Sequence, residues 1–260
     1  MKRVNKSTLP NLLTLFATNY PNDSWDNFRN HNASDDYREV KDLIFTDQGG
    51  LCAYCEKSLK EELLNKKRIE HYHSKSDKST PGVNWALDWN NVIGVCLGGS
   101  DTKQEHPLPK NFSCDAHKAH LEDKKKLQIP CVGYVLDPQD LVASPVLFDL
   151  DKSEGKLIVN VAACAQYTPQ YNNFETVEEL VEKTIEVFNL NCDRLIKQRL
   201  KVLHTFEHII NAARKKGNTQ IHSQLAEKWF INKWPSFFTT RRIILGRYAE
   251  QYLNTIQYDG

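Results

Sequence analysis

The sequence lacks any long apolar run, and no stretch approaches the roughly 18 consecutive apolar residues that a membrane-spanning helix needs. It also lacks an excess of charge of one sign, because 34 Lys and Arg residues face 33 Asp and Glu residues, for a net charge of +1. Residues 1–20 contain only a broken apolar run, which is not typical of an export signal. We therefore expect a soluble, cytoplasmic protein without a membrane partner, which binds any polyanion through local patches.

No internal repeat or low-complexity tract is visible, and the 40% hydrophobic content suffices for a packed core. Residues 1–50 are predicted to be mostly helical, because apolar residues recur at helical spacing over 36–45. Short β-like runs between turn residues predict a hairpin-like connection over 126–175. Residues 176–260 are predicted to form a C-terminal helical module that begins at a capping box.

Residues 51–125 are rich in Cys, His, Asn and Trp and show little periodicity, which is typical of a small core organised by a metal. The chain has seven cysteines, an odd number that favours reduced thiols and metal ligation over a disulfide framework. A structural zinc site takes four ligands, and two pairs supply them: Cys52 and Cys55, then Cys96 and Cys114.

Two other interpretations of the cysteines compete with zinc. A redox C-x-x-C pair at Cys52 and Cys55 would normally lie in a βαβ context, which the sequence does not predict. Buried free thiols are common, and this is the interpretation that we prefer for the remaining three cysteines, which lie within or beside apolar runs without a paired ligand nearby. These are Cys131, Cys164 and Cys192.

Chemically active residue types are placed around the cysteine pairs. Glu70 directly precedes His71 at the end of a predicted strand, Asn91 follows in the segment Asp-Trp-Asn-Asn, and Asp115 and His117 follow the last cysteine. This order resembles that of the HNH (ββα-metal) endonucleases. The resemblance implies an α+β fold in which a small zinc-stapled ββα-metal core is flanked by an N-terminal helical segment and the C-terminal helical module.

The resemblance also implies roles. His71 would be the general base, Glu70 a ligand of a catalytic Mg²⁺ or Mn²⁺, and Asn91 the residue that orients the His71 loop. Asp115 or His117 would be the second ligand of the catalytic ion, a choice left open because the family usually has His or Asn where this chain has Asp115. Phosphodiester hydrolysis needs a base for water and a cation for the developing charge, which agrees with these roles.

A narrower resemblance covers most of the chain. The segments Gln48 to Glu56, Ile69 to His71 and Asp88 to Asn91, with the later Leu190-Asn191, Arg194 and Arg199, are similar to PtuB-type HNH proteins of Septu anti-phage systems and some retrons. This resemblance implies that the protein is a toxic effector in anti-phage defence and is controlled by a PtuA-type ATPase. In a retron, its partners would also include a reverse transcriptase and its multicopy single-stranded DNA. Four residues of the helical module could serve either to dock a partner or simply to pack the scaffold: Phe237, Phe238, Arg241 and Arg242.

The expected function is therefore metal-dependent cleavage of nucleic acid, with DNA the first expectation and RNA such as tRNA an open alternative. A non-catalytic zinc module that bridges a partner and a nucleic acid is the second hypothesis, and a zinc-organised redox or regulatory protein is the third. His73 and His120 are expected to lie at the surface or to contact phosphate rather than to act in catalysis.

Overall fold

The computed structural model describes residues 1–8, 10–102 and 104–260. The described residues form helices and two small sheets, so the expected α+β class is confirmed. The helices are α1 (Leu12–Asn19), α2 (Trp25–Asn30), α3 (Asp35–Asp47), α4 (Cys114–Asp123), α5 (Val161–Cys164), α6 (Val177–Val187), α7 (Asp193–Lys215), α8 (Ile221–Phe230), α9 (Phe238–Leu245) and α10 (Arg247–Thr255). The strands are β1 (Lys67–His71), β2 (Val92–Cys96), β3 (Phe148–Asp151) and β4 (Lys156–Val159).

The N-terminal helices pack on one face of the first sheet. Helix α3 covers the predicted helix at 36–45 and approaches β2 closely at Gly94, where a Cβ atom would lie 2.8 Å from the Phe45 ring. The buried Gln48 then follows α3. Its amide donates to the carbonyls of Leu51 and Gly94, both at 2.8 Å, and accepts from the Gly94 amide at 2.6 Å. This side chain therefore joins the end of α3 to the cysteine-bearing turn and to β2.

The first sheet and α4 form the part of the fold that carries the candidate site. Strands β1 and β2 are antiparallel, with Glu70 opposite Ile93 and His71 opposite Val92. Helix α4 begins at Cys114 and packs against β2. The pairing brings the end of β1 beside the start of β2, so residues 71–73 lie next to Asn91.

The second sheet is a hairpin within 126–175, in which β3 and β4 pair with Phe148 opposite Val159. The other β-like run, residues 131–136, was expected to be a strand and is not one. The Tyr134 amide donates to the Cys131 carbonyl at 2.9 Å, and Gly133 has a φ of +77°, so the chain turns here. A residue without a Cβ atom adopts this left-handed conformation at little cost.

The helical module begins as predicted, because the Thr176 and Glu179 side chains form a capping box at the start of α6. Arg199 lies fully buried on α7 and donates to the carbonyls of Gly155 and Leu190, both at 2.7 Å. Its guanidinium therefore ties the β3–β4 turn to the loop between α6 and α7.

The structure bears on the two explanations given for the residues around the start of α9. Phe237, Phe238 and Arg242 are buried, and Arg242 forms a bidentate ion pair with Glu250 at 2.6 Å. Scaffold packing therefore accounts for these three side chains, while Arg241 is only partly buried.

The predicted segments share one interior. The largest apolar cluster contains Phe45, Tyr54, Phe148 and Phe188, which come from all four segments. In the described part of the chain, no helix is both long enough and apolar enough to cross a membrane.

Candidate metal centre and active-site cleft

The four cysteines expected to bind zinc come together in the interior. Their sulfur atoms all lie within 4.8 Å of one another, and three of the pairs (Cys52 with Cys114, Cys55 with Cys96, and Cys96 with Cys114) are separated by 3.8 Å. Tetrahedral zinc with Zn–S bonds of about 2.3 Å requires sulfur atoms about 3.8 Å apart. The donor set therefore fits a structural zinc ion, and it is the only group of three or more potential metal ligands found among the described residues.

Local backbone structure holds the sulfur atoms in place. Residues 52–57 form a tight turn in which the Glu56 amide donates to the Cys52 carbonyl at 3.0 Å and Glu56 has a φ of +60°. The Gly98 amide donates to Cys96 Sγ at 3.3 Å, and the Cys114 amide donates to the Phe188 carbonyl at 2.8 Å. The other three cysteines are buried free thiols, in agreement with the interpretation from sequence: Cys131, Cys164 and Cys192.

Glu70 and His71 end β1 and line the same surface cleft. The Glu70 side chain is buried, and His71 is partly buried with its ring packed edge-on against Trp25 at 4.6 Å between centroids. His71 Nε2 lies 3.1 Å from the Ala86 carbonyl oxygen. Burial lowers the pKa of His71 to about 4, so the imidazole is neutral at physiological pH.

A buried lysine on α4 organises the end of β1. Lys118 Nζ donates to Glu70 Oε1 at 2.7 Å, to the Tyr72 carbonyl at 3.0 Å and to the His71 carbonyl at 3.3 Å. Burial opposes the charge of Lys118, but Glu70 raises the pKa of this lysine above its usual value. Reasoning from the sequence missed Lys118, and the only hint was its place on the helix that follows the last cysteine.

Asn91 bridges the segments on either side of His71. Its side chain is buried; Oδ1 accepts from the His73 amide at 2.7 Å, and Nδ2 donates to the carbonyls of His73 at 2.9 Å and Trp85 at 2.7 Å. All three bonds go to backbone groups, so the Asn91 amide fixes the chain at residue 73, soon after His71, and at residue 85, just before Ala86. The carbonyl of Ala86 is the group that contacts the His71 ring.

The two alternatives for a second ligand of the catalytic ion lie in different places. Asp115 lines the cleft with Glu70 and His71, and its carboxylate lies 3.9 Å from Arg68. Burial raises the pKa of Glu70; the Lys118 ammonium opposes the rise and the nearby Asp115 carboxyl adds to it. His117 instead lines another surface cavity, and its Nδ1 lies 2.8 Å from the Val187 carbonyl oxygen. The structure therefore brings Asp115, and not His117, to Glu70.

The cleft itself has a volume of about 620 Å³ and a mixed electrostatic character. Its lining contains more basic than acidic side chains, which concentrates positive charge locally on a chain of net charge +1. The basic lining residues are Arg29, Lys41, Lys67, Arg68, Lys75 and Lys118. His73 and Trp85 lie outside this cleft: His73 is buried with Nε2 2.6 Å from Asp77 Oδ2, so the expectation of a surface position is wrong.

No family model matches the chain. The chain nevertheless belongs to a family of HNH endonucleases, because it is 39% identical along nearly its whole length to a protein with that name. That relative is an Escherichia coli protein named "Retron Ec83 putative HNH endonuclease", and the match extends over 262 residues, 99% of this chain and 100% of the relative. The similarity to HNH endonucleases therefore extends over nearly the whole chain and is not limited to Glu70, His71 and Asn91.

Proposed function

We propose that this protein is a metal-dependent HNH endonuclease that hydrolyses phosphodiester bonds of nucleic acid. The observation that carries the proposal is the common cleft of Glu70, His71 and Asp115, whose lining also contains basic residues, in a member of an HNH endonuclease family. Lys and Arg side chains bind phosphates, and a neutral imidazole beside two carboxylates suits water activation at a bound phosphate.

His71 is the general base in this proposal. A carbonyl oxygen only accepts hydrogen bonds, so the 3.1 Å contact with Ala86 places the imidazole proton on Nε2. Nδ1 is then left with a free lone pair for the proton of the attacking water. Because burial keeps the pKa of His71 low, the base form is already present at neutral pH. Asn91 acts as a positioning residue that fixes the chain after His71 through its three backbone hydrogen bonds.

Glu70 and Asp115 are the proposed ligands of a catalytic Mg²⁺ or Mn²⁺. Mg²⁺ is commonly bound by one or two carboxylates together with water and substrate phosphate, so two acidic side chains suffice. When bound, the ion would stabilise the negative charge that develops on the phosphate and the leaving oxygen. Lys118 orients the Glu70 carboxylate and so prepares the ligand set. The four-cysteine cluster holds structural zinc and fixes the start of α4, from which Asp115 and Lys118 project.

The biological setting is also part of the proposal. The relative's name places that protein in a retron, which favours a role for this chain as a retron nuclease whose partners include a reverse transcriptase and its multicopy single-stranded DNA. The similarity of its motifs to PtuB-type proteins favours an anti-phage role under the control of a PtuA-type ATPase. DNA is the first expected substrate, and tRNA is the alternative.

The test uses purified protein, alone and with a PtuA-type ATPase as the proposed partner, incubated with plasmid, single-stranded DNA and total tRNA in Mg²⁺ or Mn²⁺. His71→Ala should lower cleavage at least 100-fold, about the contribution of a general base. His204→Ala is the matched control, since His204 is an exposed histidine on α7. Cleavage that survives His71→Ala, or binding of nucleic acid without cleavage under every condition, would favour the non-catalytic bridging module.

A further inference from the structure

A second cavity lies beside the cleft, and its lining includes Asn91, the positioning residue of the mechanism above. Its volume is about 400 Å³, within the usual range for small-molecule sites. His71 and Ile129 line the cleft, whereas the next residues in the chain, Tyr72 and Pro130, line this second cavity. Consecutive Cα atoms are only about 3.8 Å apart, so the two cavities border the same two chain segments. We call this second cavity the aromatic pocket.

The walls of the aromatic pocket offer flat ring surfaces. Trp85 stacks on His73 with ring centroids 4.0 Å apart and an interplanar angle of 21°, and Tyr167 and Tyr171 line the pocket with them. Tyr171 is 53% exposed, so its ring is accessible from solvent. The Trp85 indole N–H is buried and has no hydrogen-bond partner among the described residues. Such a site can accept a planar group with polar edges.

The charges of the two cavities differ. Six basic residues line the cleft, whereas none of the described residues that line the aromatic pocket is Lys or Arg, and Asp88, Asp137 and Asp140 line it. This distribution of charge favours phosphate groups in the cleft over phosphate groups in the pocket. Burial raises the pKa of Asp137 to about 7, so this carboxyl carries only part of a negative charge at neutral pH and attracts a cationic side chain weakly.

We propose that the aromatic pocket receives one unpaired nucleobase of the substrate, next to the phosphodiester bond held in the cleft. This inference rests on the proposed nuclease function and adds to it a preference for single-stranded or locally unpaired nucleic acid. Unpaired bases stack on aromatic side chains and form hydrogen bonds along their edges. Carboxylates accept from the amino groups of adenine, cytosine and guanine, which uracil and thymine lack, so the pocket favours the first three.

The experiment uses the full-length His71→Ala protein, so that no substrate is cut. The probes are strands of five nucleotides. In one strand every position is abasic, and in the others a single position carries a base. Anisotropy of a terminal dye gives Kd. The all-abasic strand reports phosphate binding in the cleft, and one base should tighten binding about 5-fold or more. In the His71→Ala background, a second substitution Tyr171→Ala should abolish the tighter binding given by the base, whereas Tyr171→Phe should keep it. Tyr20→Ala is the control: it removes a similarly exposed ring (48%) elsewhere and should leave the tighter binding intact.

The outcomes separate the two proposals. If the all-abasic strand binds but a base adds nothing, or if the gain persists in Tyr171→Ala, the aromatic pocket does not bind a base and the proposed nuclease function stands. If no strand binds, the phosphate cleft fails as well. A shift of the Trp85 indole resonance by arginine amide, but not by the single-base strands, would instead show that the pocket accepts a guanidinium and would overturn the inference.

Discussion

The ammonium of Lys118 lies 2.7 Å from the carboxylate of Glu70, and both side chains are buried beneath the end of β1. The same ammonium also donates to the backbone carbonyls of His71 and Tyr72. One side chain of α4 therefore fixes a proposed metal ligand and the backbone that carries the proposed base. This contact links the cysteine cluster, which anchors the start of α4, to the chemistry of the cleft.

Removing Lys118 should destabilise the fold and abolish cleavage. Lys118→Met leaves a buried carboxyl and two carbonyls without their donor, which costs about 3–5 kcal/mol. Adding Glu70→Gln should recover part of that stability but no activity, because the proposed metal ligand is lost. Urea unfolding measures the stability, and Lys183→Met is the control, since its exposed pair with Glu186 should be worth less than about 1 kcal/mol. Equal costs for Lys118→Met and Lys183→Met would contradict the role given to Lys118.

The second metal ligand can be identified with two substitutions on the same helix. Asp115→Ala should raise the Mn²⁺ concentration needed for half-maximal cleavage at least tenfold, because one of two carboxylate ligands is gone. His117→Ala should leave it unchanged, because His117 faces Val187 and another cavity. Titration of Mn²⁺ in single-turnover assays gives both values. A larger effect from His117→Ala would reverse the assignment.

Zinc removal should unfold more than the cysteine cluster. Zinc binding to four-ligand sites contributes roughly 10–16 kcal/mol, and a whole domain is stable by about 5–15 kcal/mol, so loss of the ion removes an amount comparable to the entire net stability of a domain. Cys52→Ala should therefore lose bound zinc and cooperative melting. Cys164→Ala, which removes a buried thiol outside the cluster, should keep one zinc ion per chain by elemental analysis. Full zinc content and an unchanged melting curve for Cys52→Ala would count against the site.

The sequence predicts the features that depend on spacing and residue chemistry. Four cysteines suit one tetrahedral ion, and the capping box at Thr176 has a local signal, so both could be found without coordinates.

Features that depend on tertiary contact could not be predicted. Lys118 meets Glu70 across 48 residues of chain, and no spacing rule connects them. Phe237 and Phe238 have the composition of a docking surface, yet both are buried, Phe237 in the largest apolar cluster and Phe238 in a cluster formed mainly by the helical module. The choice between Asp115 and His117 depends on which face of α4 meets β1, which only the packed structure defines.

The pH dependence of cleavage should distinguish the proposed base from the proposed metal ligands. A histidine whose pKa is lowered to about 4 stays neutral as the pH falls from 8 to 5, so His71 should not limit activity in that range. Glu70 has a raised pKa because of burial, and it must lose its proton to bind a divalent ion. Any acid limb should therefore reflect competition between protons and metal, and a tenfold rise in Mn²⁺ should move its midpoint down by up to about one pH unit.

Single-turnover rates measured from pH 5 to pH 8 at two Mn²⁺ concentrations test this expectation. Circular dichroism at each pH separates loss of chemistry from loss of fold. A midpoint near 6.5, the ordinary pKa of histidine, that does not move with Mn²⁺ would mean that His71 titrates as a solvated imidazole. That result would contradict the proposed mechanism, which depends on a buried His71 bound to a carbonyl. A histidine in that environment has a pKa of about 4 and should not gain a proton near pH 6.5.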